Sequence, residues 1–229
     1  MIMTSRVTID AAVCDLAVGL IEASAIELGP SDQELVASCR NAVQEFKMIG
    51  PEGGDARREA VRELLRRGRF KPSGRSKPAQ EYLARTAAED EKWPFILNAV
   101  DLLNVTSLRS GLPISLLALE RTGSNLLLRY GLPGETFVFN VAGQTLDVER
   151  LLCVCGERDG QLQPVGTPVK DSQLAKVRVG DRYVLGCLYA SRSAVSDDDL
   201  MRWTQELARG WETWCGAQDV HCWLAHSSA

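Results

Sequence analysis

Between Ile96 and Pro113 the chain reads ILNAVDLLNVTSLRSGLP. Its apolar residues recur at helical spacing, with Ile96, Val100 and Leu103 on one line and Leu97, Val105 and Leu108 beside it. A helix this apolar is buried on more than one face. Yet Asn98, Asp101, Asn104 and Ser107 run through it in steps of three, as a slanting polar stripe rather than a wet outer face. A buried polar side chain without a partner costs about 1–3 kcal/mol, so either protein groups or a ligand must meet that stripe. Ser110-Gly111 is a helix-ending pair, and Pro113 forbids continuation.

Before this stretch, Val7–Ile9 and Leu16–Ile21 read as short strands. Gly19, inside VGLIEAS, suggests close approach by another backbone. Gly29-Pro30-Ser31-Asp32 is a turn, and Ser31 with Glu34 forms a capping-box pattern. The helix from Asp32 to Met48 then carries Leu35, Val36, Cys39, Val43 and Phe46 inward. Glycines and a proline at 50–54 break it, and a second helix, rich in both charge signs, follows over Asp55–Gly68. RFKPSGRSKP is a loop or semi-rigid strap, and Pro78 starts a third helix.

After Pro113 the period changes from 3.6 to 2. Ile114–Leu119 fits a short helix or a strand equally. NLLLR (125–129), TFVFNV (136–141), LLCVC (151–155) and YVLGCL (183–188) read as strands of a mostly antiparallel sheet. Leu132-Pro133-Gly134 and Arg158-Asp159-Gly160 supply hairpin-type turns. Ser196–Asp199 caps a final helix over Leu200–Trp214, with acids where the helix dipole favours them. Trp203, Trp211 and Trp214 suit a core or a partner helix equally, and the tail HCWLAHSSA has no clear pattern. Helices, then strands, then one helix make an α+β chain with helices packed on one side of the sheet.

Composition narrows the function classes. With 229 residues the chain suits one domain of above-average size or two small ones. A net charge of −4 argues against nucleic-acid affinity from the whole surface, but not against a local basic patch. No apolar run approaches the roughly 20 residues needed to span a bilayer. The opening MIMTSRVTID lacks the apolar core of a signal peptide, so the expectation is a cytoplasmic protein with no membrane partner. The seven cysteines are irregularly spaced, and Cys153 and Cys155 alternate within an apolar run as small buried hydrophobes. A disulfide framework is not expected in that compartment.

The chemistry on offer is limited. The two histidines, His221 and His226, sit in the last few residues, which removes most Ser-His-Asp and Cys-His schemes unless the tail folds back. Cys215, His221, Cys222 and His226 match no familiar zinc spacing, and Trp214 and Trp223 beside them indicate packing, so no metal is assigned. Phosphate-binding GxxxxGK[ST], dinucleotide GxGxxG and nucleophile-elbow GxSxG patterns are all absent, and no cofactor is implied.

Three polar sites remain: the stripe with Arg109 just after it, Asn140–Gly143 at a strand end, and Thr167-Pro168-Val169-Lys170-Asp171-Ser172 between strands. Each also has an ordinary reading. Asn104 then ties a helix to a loop, Gly143 serves a hairpin, and Lys170-Asp171-Ser172 is an exposed turn. The run Arg66, Arg67, Arg69, Lys71, Arg75 and Lys77 reads either as a phosphate-backbone contact or as a solvated charged face.

NAVDLLNVTSLRSGLP resembles the central motif of the B3/B4 domain, the editing domain in the beta subunit of bacterial phenylalanyl-tRNA synthetase. The chain is still more similar to the free-standing proteins built from that domain alone. VGLIEAS with SDQEL resembles the family's opening strand and helix. RFKPSGRSKPAQEYLAR resembles its basic segment, and VGTPVKDS its closing motif, in which a basic residue and an acid line the cleft. The resemblance implies one α+β domain over 1–229, with a mixed sheet, a second small sheet and covering helices. Within it lie a basic strap (66–77), a core motif (96–113) and a C-terminal tail (216–229).

In the synthetase the domain hydrolyses tyrosine wrongly attached to phenylalanine tRNA, and its cleft binds the terminal adenosine and the amino acid. The resemblance therefore implies a trans-acting deacylase of mischarged aminoacyl-tRNA or, alternatively, a non-catalytic module that binds tRNA or an amino acid. It puts Asn104, Ser107 and Arg109 on one wall of the cleft, Asn140 and Gly143 on another, and Lys170 and Asp171 at the rim. It puts tRNA on Arg66, Arg67, Arg69, Lys71, Arg75 and Lys77. The synthetase domain has a histidine and a glutamate at its pocket, whereas no matched motif here contains a histidine, so no catalytic residue is assigned. Hydrolysis would then use a positioned water and the tRNA terminal hydroxyl, with backbone N–H groups holding the oxyanion.

Overall fold

The computed structural model describes residues 5–89, 93–158 and 160–228, without the side chains of Arg75 and Arg158. Its first sheet has the order β1 (Arg6–Ile9), β4 (Asn125–Tyr130), β7 (Leu152–Arg158), β8 (Gln161–Gly166). β1 runs parallel to β4, and the other neighbours are antiparallel. The second sheet, wholly antiparallel, has the order β10 (Gln218–His226), β2 (Leu16–Ser24), β9 (Val184–Ser191), β3 (Ile114–Ala118). A small hairpin pairs β5 (Thr136–Val138) with β6 (Thr145–Asp147). The helices are α1 (Gln33–Ile49), α2 (Gly54–Arg67), α3 (Ala79–Ala88), α4 (Asn98–Ser110), the short α5 (Leu119–Thr122) and α6 (Asp197–Cys215). The fold is α+β, with mixed and antiparallel sheets covered by helices.

The unbroken apolar runs are explained by strands with two buried faces. Successive side chains alternate across a strand. Leu16, Val18 and Leu20 of β2 and Leu185, Cys187 and Tyr189 of β9 join Leu126 and Leu128 of β4 and Cys153 and Cys155 of β7 in one core between the two sheets. Ala17, Ile21, Val184 and Leu188 turn the other way, onto Leu200, Trp203 and Trp211 of α6 and Ala99 and Leu103 of α4. Neither strand has a wet side, so neither shows polar alternation. α4 and α6 thus cover one face of the second sheet, and the first sheet, with Leu64 and Leu65 of α2, covers the other.

Gly19 makes room for α6. A Cβ there would lie 2.1 Å from Thr204 Oγ1, so the close approach comes from a side chain and not from a backbone. Gly186 does the same for the Trp211 ring. Trp203 and Trp211 are core residues, and Trp214 is partly buried against the same cluster.

α4 is buried on opposite sides, as its pattern requires. Ala99 and Leu103 meet the sheet and α6, while Val105 and Leu108 meet Leu35, Cys39, Val43 and Phe46 of α1. The helix ends at Gly111 in the left-handed conformation, φ 68°, a geometry that glycine adopts freely.

Several local expectations change. Ser31 does not cap α1. Asp32 does, accepting from Leu35 N at 2.8 Å, while the Ser31 side chain points to Asp101, to which it donates at 2.6 Å. Ile114–Leu119 divides into β3 and the first residue of α5. The strand expected over 136–141 stops at Val138. Leu132-Pro133-Gly134 is not a hairpin turn, since β4 and β5 lie in different sheets. The Arg158–Gly160 turn does link β7 to β8, although Asp159 lies outside the described residues. The tail is not irregular: it is β10, an edge strand running antiparallel to β2 from Gln218 opposite Ser24 to His226 opposite Ala17.

Candidate functional site

A cleft of about 300 Å³ opens where α4, β3 and the 167–177 loop meet. α4 contributes Val100, Leu103 and Asn104, with Leu97 at its cap; β3 contributes Ile114 and Leu116; the loop contributes Thr167, Lys170, Asp171, Lys176 and Val177; Ala79 opens α3 at the edge. Two of the three polar sites therefore meet in one place, the core motif through Asn104 and the TPVKDS stretch through Lys170 and Asp171.

The loop is held by its own chemistry. The Thr167 hydroxyl accepts from the backbone N–H of Val169 at 3.1 Å and of Lys170 at 3.0 Å. The Thr167 N–H bonds Lys170 O at 3.1 Å, closing a tight turn. Ala79 N–H donates to Pro168 O at 2.9 Å, tying the start of α3 to the loop.

Asp171 is the electrostatic centre of the cleft. Part of the residue reaches the cleft, but its Oδ1 is shut off from water and has no hydrogen-bond partner among the described residues. Oδ2 accepts from Leu116 N at 3.2 Å. Burial pushes the carboxyl up to about 6, against the opposing pull of the Ser115 hydroxyl, the Leu116 and Thr167 N–H groups and the Lys176 charge. Gly166 leaves space for it, since a Cβ there would sit 2.9 Å from Oδ1. Beneath it, the buried Tyr189 hydroxyl donates to Ser115 Oγ at 2.9 Å, and Ser115 reaches Thr167 O at 3.3 Å. Burial raises the Tyr189 phenol well above its ordinary range.

Both lysines are anchored on Phe139, beside the cleft. Lys176 Nζ donates to Phe139 O at 2.6 Å, and Lys170 Nζ lies 4.0 Å from the Phe139 ring centroid. Phe139 follows β5 at the turn end of the small hairpin, so that end adjoins the cleft.

The other expected positions lie elsewhere. Three of the four stripe residues are met by protein groups. Asn98 accepts from Gly29 N at 3.3 Å and donates to Glu27 O at 2.9 Å. Asp101 accepts from Ser31 Oγ and from Ile96 N, and burial raises its carboxyl. Ser107 donates to Leu112 O at 2.7 Å and is buried away from the cleft. Asn104 alone of the four lines the cleft, and its side chain makes no hydrogen bond among the described residues. Arg109 turns to α6, where it pairs with Glu206 and lies 5.3 Å from the Trp203 ring centroid. Asn140 and Gly143 form the exposed tip of the β5–β6 hairpin. There Asn140 bonds Gln144 at 2.8 Å and Gly143 takes φ 75°.

The basic strap is divided. Arg66 pairs with Glu59 and Glu63, and Arg67 with Asp15 at 3.2 Å. Arg69, Lys71 and Lys77 make no ion pair among the described residues, and the side chain of Arg75 lies outside them. The strap ends at Lys77-Pro78, beside Ala79 at the cleft edge. Ser115, Leu116, Lys176, Val177 and Tyr189 were not legible as site residues. β3 could not be told from a helix, and Tyr189 reaches the site only through β3–β9 pairing.

Among the described residues no three His, Cys, Asp or Glu side chains gather as a metal-binding group, and no helix is long and apolar enough to cross a membrane. His221 stacks on Trp223 at 5.0 Å and His226 bonds Asp197 at 2.8 Å, both on β10.

What fold and site define is an α+β protein with a cleft that is polar on its loop side and aliphatic on its helix and strand sides. No protein-family model matches the chain, and no curated protein does. Among solved structures it is similar to an N-terminal fragment of the phenylalanyl-tRNA synthetase beta subunit from Pyrococcus horikoshii. The identity is 8%, the TM-score 0.46, and the match covers 96% of this chain and 52% of that one. The chain thus spans about half the length of that fragment.

Proposed function

We propose that the protein is an aminoacyl-tRNA editing protein acting in trans, a deacylase that hydrolyses mischarged aminoacyl-tRNA in the cytoplasm, with the aminoacyl group in the cleft at Asn104, Lys170 and Asp171. One observation carries the reading: NAVDLLNVTSLRSGLP and VGTPVKDS, more than 50 residues apart, each contribute polar side chains to the same cavity. The strap adds support, because it ends two residues before Ala79 at the cavity edge and supplies Arg69, Lys71 and Lys77, which make no ion pair among the described residues, for contact with a polyanion.

The reaction needs little from the protein. Water adds to the ester carbonyl, the carbonyl carbon–oxygen bond to the tRNA breaks, and the terminal hydroxyl leaves with a proton. Positioning and fixed dipoles are enough to lower that barrier. Asn104 offers an uncommitted amide, and Asp171 is a carboxyl poised near neutrality. The absence of histidine from the described cleft lining favours a second reading, a module that binds tRNA or an amino acid without turnover.

The test is a deacylation screen with correctly and wrongly charged tRNAs, in L and D forms, at low salt. Release of an amino acid well above the protein-free rate, lost in Asn104→Ala and in Asp171→Ala, is the expected result. Binding without release across the panel selects the module, and neither binding nor release refutes both.

A further inference from the structure

Resting on that reading, the cleft also carries a statement about which amino acid it takes. Leu97, Val100 and Leu103 from the α4 side, Ile114 and Leu116 from β3, and Val177 from the loop make its apolar wall. All six are aliphatic, and Leu103, Ile114 and Leu116 are buried. Among the described lining residues none is aromatic. Phe139, beside the cleft, has its ring under the Lys170 ammonium. The loop supplies the polar end: Thr167, Lys170, Asp171 and Lys176. The helix wall adds a polar side chain, Asn104, one residue beyond Leu103.

We infer that the cleft selects a branched or linear aliphatic α-amino acid, free or esterified to tRNA. Its side chain lies against Val100, Leu103, Ile114 and Leu116, and its ammonium and carboxyl groups meet Asn104, Asp171 and the two lysines. The size fits a small ligand, since about 300 Å³ lies at the lower end of small-molecule pockets. The chemistry fits as well. A hydroxyl set against the aliphatic wall finds no hydrogen-bond partner there, and an apolar pocket rejects an isostere that adds a hydroxyl by about 100-fold. Asp171 complements the α-ammonium, which the free and the esterified amino acid both carry, and the two lysines complement the carboxylate of the free form alone.

The experiment compares tRNAs charged with leucine, isoleucine, valine, methionine, threonine, phenylalanine and tyrosine for release. In parallel it compares the free amino acids for binding by calorimetry. Expected is a preference for the aliphatic set, with valine favoured over threonine by about 100-fold. Val100→Thr keeps the side-chain shape but puts a hydroxyl in the wall, so it should narrow the valine-to-threonine ratio by about tenfold or more. Preference appearing with charged tRNA alone assigns the esterified source, and preference with free amino acids alone the free one; either supports the inference. Release or binding led by tyrosine, phenylalanine or threonine overturns the aliphatic assignment while leaving the editing reading intact. No release and no binding anywhere in the panel overturns both. An unchanged valine-to-threonine ratio in a folded Val100→Thr protein also overturns the assignment.

Discussion

Asp171→Asn tests the electrostatics of the cleft without needing a substrate. Burial lifts this carboxyl from 3.8 to about 6 in the folded protein. The difference of about 2 units corresponds to about 3 kcal/mol at 1.36 kcal/mol per unit. The sign follows from which state holds the proton more tightly. Here the folded state does, so the group's stabilising effect is complete below about pH 4 and is lost as pH rises through 6. Roughly half of it, on the order of 1 kcal/mol, disappears between pH 5 and 8. Asparagine keeps the shape and the acceptor for Leu116 N, but it does not titrate. The variant should therefore gain on the order of 1 kcal/mol on the wild type between pH 5 and pH 8. Urea unfolding at pH 5, 6, 7 and 8 reads this directly, with unchanged m-values showing that the transition is comparable. Groups elsewhere in the chain are common to both proteins and cancel in the difference. Beside Asp171, burial moves Cys187 and Tyr189 further above this window. Parallel pH curves for the two proteins would refute the argument and show Asp171 to be hydrated.

Two other outcomes are expected. Gly19→Ala should destabilise by about 1–3 kcal/mol in urea, because its Cβ would fall 2.1 Å from Thr204 Oγ1. Combining it with Thr204→Ala should recover part of that loss, and strict additivity would show that α6 does not press on β2 here. Arg69→Glu with Lys71→Glu should weaken tRNA binding and lower the log–log salt slope by roughly 1.4–1.8, the share of two phosphate contacts. Arg66→Ala should do less, since Glu59 and Glu63 already hold that guanidinium. Salt-insensitive binding would remove the strap from the interface.

The parts of this fold that were legible in the sequence are those whose cause is local. α4 announces itself by period and by its Gly111 end, and the double burial of β2 and β9 shows as apolar runs without alternation. β10 was hidden for a physical reason. It is an edge strand with partly buried faces, and its partner β2 lies about two hundred residues earlier, so neither a clean alternation nor a turn marks it. β6 and β8 are short or largely exposed and give the same weak pattern. The misplaced helix cap has a similar origin, because Ser31 is claimed by Asp101, which is distant in sequence but adjacent in space.

The candidate site divides in the same way. A polar stripe on an apolar helix states that partners are needed, but the partners are set by tertiary structure. Asn98 finds the carbonyl of Glu27, Asp101 finds Ser31, and Ser107 finds Leu112 O just past its own helix. Asn104 sits where α4 passes β3 and the 167–177 loop, and no described protein group bonds its amide. Arg109, five residues on, has turned about 140° further round the helix and meets α6 instead. The stripe was therefore right about need and silent about supply. The same silence covers Asp171, whose sequence neighbours make it look like part of an exposed turn. What lifts its carboxyl toward neutrality is burial beside β3 and Gly166, together with an Oδ1 that no described protein group satisfies. The cleft keeps an uncommitted amide and a desolvated carboxyl, while the neighbouring stripe residues on the same helix are met by protein groups; buried polar atoms without a partner also occur outside the cleft, at Gln80, Trp93 and Trp203. Under the proposed function, an open amide and a desolvated carboxyl in one cleft favour this cavity over the Asn140 hairpin and Arg109, whose side chains already bond Gln144 and Glu206.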